Sequence, residues 1–363
     1  MIVSRRDFIW AAALLFTLFG LHLLSPILLP FVVGAAVAYF FDPVVERLNR
    51  RRMSRALGAW LVLIVFFLLA GLLLFFLFPL LESQIVELAR RLPHLLRVLQ
   101  DRIAAFIGTV GAELSPADIE RIKDAAGGVV DDAAKIVGNL LGDLWNSGLA
   151  LVNLLSLIFI SPLVAFYMLR DWDRIVTKID SWLPRQHADT IRALARECDD
   201  MISAFIRGAG TVCLILAVYY GVALTVIGLE FGLAIGIVAG LISFIPFVGA
   251  AAGFVAAVGV AVVQFGDMLP VVMTAGVFVV GQALEGNFLT PALIGGRIRL
   301  HPVWVIFAIL AGGLLFGFVG VLLAVPVAAV IGVLFRYGIA RYLESRLYLG
   351  VRGSDIDGEG QSL

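Results

Sequence analysis

The segment VVGQALEGNFLTP (279–291) places a carboxylate and two carboxamides, Glu285, Gln282 and Asn287, at the end of an apolar run, MTAGVFVV. A charged side chain deep in hydrocarbon costs about 2.5–3.5 kcal/mol on insertion scales, so such a group normally faces a cavity or a partner. Withdrawn from water there, a carboxylate can take up and release a proton, the elementary step of proton-coupled transport. The other reading puts Glu285 at the membrane edge, closing a helix that ends at Gly286. Gln282 and Asn287 offer hydrogen bonds to a polar solute or, equally, to a neighbouring helix.

SFIPFVG (243–249) is the second candidate, through Ser243, Pro246 and Gly249. Pro246 has no amide hydrogen and frees a carbonyl upstream, and Gly249 permits a turn. Broken helices in lipid persist where protein or a water-filled cavity satisfies the backbone, and transporters often build their sites at such breaks. A packing kink is the plainer account. GGLLFGFVG (312–320) is a second break of similar character. In RLHP (299–302), Arg299 and His301 precede the last apolar run; His301 could titrate near neutral pH or simply anchor the interface. Arg207 stands where a cytoplasmic helix enters the membrane, to snorkel toward phosphates or to pair with Glu285. Asp42-Pro43 reads as a helix stop. Gly228, Gly232, Gly236 and Gly240 recur every fourth residue and make a bare helix face for close packing.

The elements that must hold these residues are dictated by composition. The chain has 363 residues, of which 61% are hydrophobic and 15% charged. Soluble domains run near 45–50% apolar and about 25% charged, so the fold expected is all-α and built for lipid. Lys and Arg balance Asp and Glu at 27 each, which gives no reason to expect nucleic acid. Cys198 and Cys213 form no disulfide or metal pattern. G-x-x-x-x-G-K-[ST], HExxH, CxxC and G-x-S-x-G are absent from the sequence, so no cofactor and no enzyme activity are expected. A bilayer core needs about 20 apolar residues per helix. Such runs occupy 8–24, 27–41, 57–80, 148–169, 208–229, 231–265, 270–285 and 303–336, about eight transmembrane segments, some broken or folded into hairpins. The N-terminal run, basic at its start, lacks a small-residue cleavage site and reads as the first span rather than a signal peptide.

Four regions follow: N-terminal spans (1–81), an extracytoplasmic amphipathic insert (82–147), a transmembrane core (148–345) with a cytoplasmic excursion (170–207) divided at Pro184, and a tail (346–363). The insert carries ten acidic and seven basic residues, and Ile85, Leu88, Leu92, Leu95, Leu96 and Leu99 recur at helical spacing. Two or three helices are expected there, one of them opening at Ser115-Pro116. Five arginines in ERLNRRRMSR (46–55) place that loop, and with it both termini, in the cytoplasm. Runs 231–265 and 303–336 are too long for one simple crossing. As single spans they put GGRIRLHP outside; as hairpins they put Arg297 and Arg299 inside, which the positive-inside rule favours.

FIRGAGTV (205–212), SFIPFVGAAAG (243–253), EGNFLTPALIGGRIRLHPVWV (285–305) and GGLLFGFVGVLLAVPVAAV (312–330) follow one another, preceded by PFVVGAAVAYFFDPVVERL (30–48). Together they resemble the bacterial autoinducer-2 exporter family, the PerM-type permeases, from about residue 8 to 345. The resemblance implies a multi-span inner-membrane transporter, often a homo-oligomer, for a small polar solute such as the quorum-sensing signal or for a monovalent cation exchanged against protons. It carries no substrate over. A passive channel or an oligomeric scaffold is the competing reading.

Overall fold

In hydrocarbon the backbone must satisfy its own polar groups, and this apolar, charge-poor chain does so by being helical. The computed structural model describes residues 16, 19–110, 148–295, 300–345 and 348, and among these there is no strand. The helices are α1 (Ser25–Arg50), α2 (Arg55–Val110), α3 (Gly148–Ser181), α4 (Ala188–Val226), α5 (Gly232–Ile242), α6 (Val248–Gln264), α7 (Met268–Leu284), a π-helical turn (Glu285–Leu289), α8 (Thr290–Leu293) and α9 (Pro302–Leu343). Six stretches are long and apolar enough to cross a bilayer, one of them running through α7 to Leu293, and α5 and α6 are shorter apolar helices. The chain is a polytopic helical membrane protein. Most of run 8–24, residues 111–147 with the Ser115-Pro116 cap, Arg297, Arg299 and most of the tail lie outside the described residues.

The chain divides into two compact units, Met1–Val176 with Ala204–Gly295 and Thr177–Ser203 with Gly296–Leu363. In the first, α1, α2 and α3 close around Val45, Ala59, Leu63, Ala165 and Leu169. Gly34 lets α1 approach α3, since a Cβ there would stand 2.7 Å from the Ser161 carbonyl oxygen. Asp42-Pro43 does not stop α1, which continues through Pro43 to Arg50. The reason is lateral. Arg55 donates from Nη2 to Asp42 at 3.0 Å and from Nε to the Leu169 carbonyl at 2.8 Å, and pairs through Nη1 with Asp173. One arginine, 14% exposed, thus ties the ends of three helices. Arg55→Ala removes the tie and leaves Asp42 with no ion-pair partner, only the weaker influence of Arg207; both carboxylates are partly solvated, so we expect a loss of about 1–2 kcal/mol, read as a lower unfolding temperature in detergent.

Helix α2 also departs from expectation. It does not end at residue 81 but runs unbroken for 56 residues, about 84 Å, through Pro79 and Pro93. The helix that carries the 57–80 run thus extends into the region expected as the amphipathic insert. Its continuation keeps making contacts. Leu88 packs on the core of the next bundle, Gln84 accepts from the Ala234 amide at 3.1 Å, and Arg91 pairs with Glu230 at 2.8 Å.

That next bundle comprises α4 from Ala204 onward, α5, α6, α7 and α8. Run 231–265 is a hairpin: α5 descends for 11 residues, SFIPFVG turns, and α6 returns for 17. The glycine face predicted from sequence lies against α4. A Cβ on Gly232 would meet the Leu224 backbone at 3.0 Å, and one on Gly236 or Gly240 would enter the backbone of Gly221 or Ala217. Gly228 is not part of that face; its φ of +79° serves the turn between α4 and α5. At the open end of the hairpin Gln264 donates to the Gly228 carbonyl at 2.8 Å and accepts from the Glu230 amide at 2.7 Å.

In the second unit α9 is also a hairpin. Gly317 holds φ +59° and ψ −141°, a left-handed backbone that glycine adopts without a steric penalty. Gly312 and Gly320 would be about 12 Å apart in a straight helix, yet a Cβ on Gly312 would stand 2.5 Å from the Gly320 carbonyl oxygen. Met201, Ala329 and Val333 form the buried centre, with Leu194, Cys198 and Leu300 against it, and Arg336 pairs with Glu197 at 2.9 Å. As expected, Pro184 lies in the break between α3 and α4; Arg192 bridges that break to both oxygens of Asp180, at 2.7 and 2.9 Å.

Candidate functional site

Between Gly208 and Leu293 the chain carries three charged residues. Glu230 and Asp267 sit at helix junctions, and Glu285 alone belongs to the interior of a span. The local cause of its position is the π turn at Glu285–Leu289, which accommodates one extra residue where α7 passes into α8. Such single-turn insertions often mark functional sites. Glu285 is half-buried, and Gln282, one turn back and exposed, donates from Nε2 to Glu285 Oε2 at 2.9 Å. Among the described residues no cation pairs with this carboxylate. Asn287 is exposed within the π turn.

Helix α4 forms the wall behind Glu285. Phe278 stacks on Tyr220 with ring centroids 4.7 Å apart, and Gly281 sits over the Tyr220 hydroxyl so closely that a Cβ would lie 2.5 Å from it. Further along, Gly208 abuts Leu293, whose carbonyl oxygen would be 3.0 Å from an added Cβ. α4 and α7 therefore run antiparallel, and Glu285 falls between these two contacts. Its charge bears on Cys213 and Tyr220.

The hairpin tip lies toward the same end of the bundle. Phe278 contacts Gly253 of α6, where an added Cβ would be 2.8 Å from its ring. From that contact, α6 runs back to the tip and α7 runs on to Glu285, both in one direction. The tip packs tightly: a Cβ on Gly249 would be 2.5 Å from Ser243 Oγ, while that hydroxyl already donates to the Ala239 carbonyl at 2.9 Å. Ser243 and Gly249 hence shape the turn, whereas Pro246 is half-buried and Phe247 is exposed. Phe247 adopts φ +69°, a strained choice for a bulky residue and one that persists only where surrounding structure enforces it.

The remaining sequence candidates stand elsewhere. Arg207 makes no ion pair with Glu285; its charge bears on Asp42 of α1, and its carbonyl accepts from Thr211 at 2.8 Å. His301, in the second unit, caps α9, its Nδ1 accepting from the Val303 amide at 3.3 Å. Arg299 lies outside the described residues. Among the described residues no group of His, Cys, Asp and Glu could hold a metal ion. Sequence reasoning did not find Tyr220, which reads as one more apolar-run aromatic; the small residue at Gly281 was the only available signal.

A sequence profile described as AI-2E family transporter matches residues 11–339. YrrI of Bacillus subtilis (strain 168), named as a candidate transport protein, is 30% identical over 315 residues, covering 86% of each chain. PerM of Escherichia coli (strain K12), named as a candidate permease, is 29% identical over 319 residues, covering 85% of this chain and 86% of its own. The AI-2 transport protein TqsA of the same strain is 23% identical over 321 residues, covering 88% of each. With a profile that spans residues 11–339 and relatives matched over most of both chains, this membrane protein belongs to the AI-2E transporter family.

Proposed function

We propose that the chain is a secondary transporter of the bacterial inner membrane, moving a small polar solute, or exchanging a monovalent cation for protons, along α4 and α7 past Glu285 and the 243–249 tip. The observation that carries this reading is the half-buried Glu285, unpaired by any cation among the described residues, at a π turn toward the end of the bundle that also holds the hairpin tip. Proton exchange at one carboxylate is enough to couple a solute step to a gradient. The likeness to TqsA, an AI-2 transport protein, supports a small polar organic solute. The arginines at 47–55 support a cytoplasmic face there and cytoplasmic termini, and the resemblance supports a homo-oligomer.

Two measurements test it. The purified full chain in proteoliposomes, under an imposed proton gradient, is expected to accumulate AI-2 or sodium above the outside concentration. Flux that only equalises the two sides would make the protein a passive channel. On a background with Cys198 and Cys213 replaced, Pro246→Cys, Gln282→Cys and Asn287→Cys are expected to react with a membrane-impermeant thiol reagent. Complete protection of all three, with and without a gradient, would leave a structural assembly as the better account.

A further inference from the structure

Two adjacent tyrosines on α4 are treated differently. Tyr219 donates its hydroxyl to the Val277 carbonyl at 3.1 Å. Tyr220, fully buried, has a hydroxyl with no hydrogen-bond partner. The Gln282 amide nitrogen, which donates to Glu285, lies beside it and can only donate, so the hydroxyl's own proton has no acceptor. Burying an unpaired hydroxyl costs about 1–3 kcal/mol, and phenylalanine would fill the same space without that penalty. The ring itself is well held, stacked on Phe278 beneath Gly281. One turn beyond Gly281 stands Glu285, a carboxylate with one oxygen bonded by Gln282 and the other unpaired. Helical side chains lean toward the N-terminus, so Glu285 leans back toward the Tyr220 hydroxyl. A donor without an acceptor thus lies close to an acceptor with spare capacity, at the N-terminal edge of a π turn that begins at Glu285 itself. A π turn holds one residue more than α-helical geometry needs, and its migration re-registers the side chains beyond it.

We propose that Tyr220 is the switchable hydrogen-bond donor to Glu285, engaged when the π turn moves and disengaged in the state described here. The hydroxyl keeps its proton; it donates to the carboxylate, and the bond holds Glu285 in its charged form until the site reopens. Tyr220 is a positioning residue for the proton step and no part of the solute's binding surface. Its purpose rests on the transport reading, but the pairing can be tested without transport. On α4 the charge of Glu285 bears on Cys213 and Tyr220; Tyr219 is bonded to the Val277 carbonyl and Arg207 bears on Asp42 instead; α5, α6, α7 and α8 carry no titratable residue.

Dicyclohexylcarbodiimide modifies protonated carboxyls in apolar surroundings, and Glu285→Gln identifies the labelled site by mass spectrometry. In the full-length protein, Glu285 should be labelled in acid and protected in alkali. Tyr220→Phe should move the pH of half-labelling upward by about one unit, because the charged form loses a hydrogen bond. In acid, where Glu285 is neutral, the variant's unfolding temperature should be unchanged or higher. Identical labelling profiles in the two proteins overturn the pairing, as does a wild type that is never labelled. A clear fall in unfolding temperature in acid also overturns it, since the hydroxyl would then be engaged in the resting fold without the charge. A labelling shift in a protein that never accumulates solute keeps the pairing and removes the transport reading. Accumulation without a shift does the reverse.

Discussion

Glu285→Gln is expected to abolish proton-driven accumulation while making the protein more stable. The two effects share one cause. A carboxylate inside a span is tolerated at an expense of about 2.5–3.5 kcal/mol when fully immersed. Glu285 is half-buried and bonded to Gln282, so the amide should recover a smaller part, about 1–2 kcal/mol. That gain should be largest in alkaline buffer, where the native side chain is charged, and fade in acid, where it is itself neutral. Glutamine can still bond Gln282, so the π turn has no reason to collapse. It cannot cycle a proton, and gradient-driven uptake should fall by about 100-fold, the factor that roughly 2.7 kcal/mol represents. Uptake and thermal unfolding in detergent at two pH values read both effects. Unchanged accumulation removes Glu285 from coupling, and a drop in unfolding temperature would mean that the native charge stabilises the fold rather than burdening it.

Parts of this architecture were legible from residue order because the causes are local. The 57–80 run is apolar throughout and could only be a span. Pro184 breaks the chain between α3 and α4, as an imino acid among helix formers should. SFIPFVG and GGLLFGFVG mark turns that make hairpins of two overlong runs, the threading that arginine placement favours. What stayed hidden depends on distant partners. Asp42-Pro43 looks like a stop until Arg55 and the Leu169 carbonyl come alongside. Nor does the sequence show that α2 runs on past residue 81, where Gln84, Leu88 and Arg91 find partners some 140 residues later. Gly228 shares the four-residue period of its neighbours but lies beyond the start of α5, where the period has no meaning. The chemistry of Glu285 was visible as a carboxylate in a greasy run. Its surroundings were not: an inserted π residue carries no compositional mark, and the isolation of the Tyr220 hydroxyl is created by Phe278 and Gly281, about 60 residues away.

Gly240→Val should be the most destructive single substitution in the bundle. In lipid, helix association gains little from the hydrophobic effect and depends on close van der Waals contact, which small residues permit. Gly232, Gly236 and Gly240 supply that contact along the whole of α5, and the tightest is at Gly240, where any Cβ would enter the Ala217 backbone with Leu216 beside it. The obstacle is main chain, so no side-chain rotation relieves it. α5 must move off α4, and it cannot do so alone. Its far end is closed by Gly249 on Ser243, and its near end by Gln84 and the Gln264 bonds. Overpacking a rigid core costs about 1–3 kcal/mol and occasionally more; a clash with the α4 backbone belongs at about 3 kcal/mol or above. Gly228→Ala serves as the contrast: nothing lies within 4 Å of a Cβ there, and the penalty comes from the left-handed turn alone. Gly240→Val should therefore aggregate or unfold on extraction, while Gly228→Ala survives with a modest loss, both read by size-exclusion profiles and thermal unfolding in detergent. A Gly240→Val protein that purifies with native stability would mean that α5 does not rest on α4, and the hairpin that positions the 243–249 tip beside α4 and α7 would have to be redrawn.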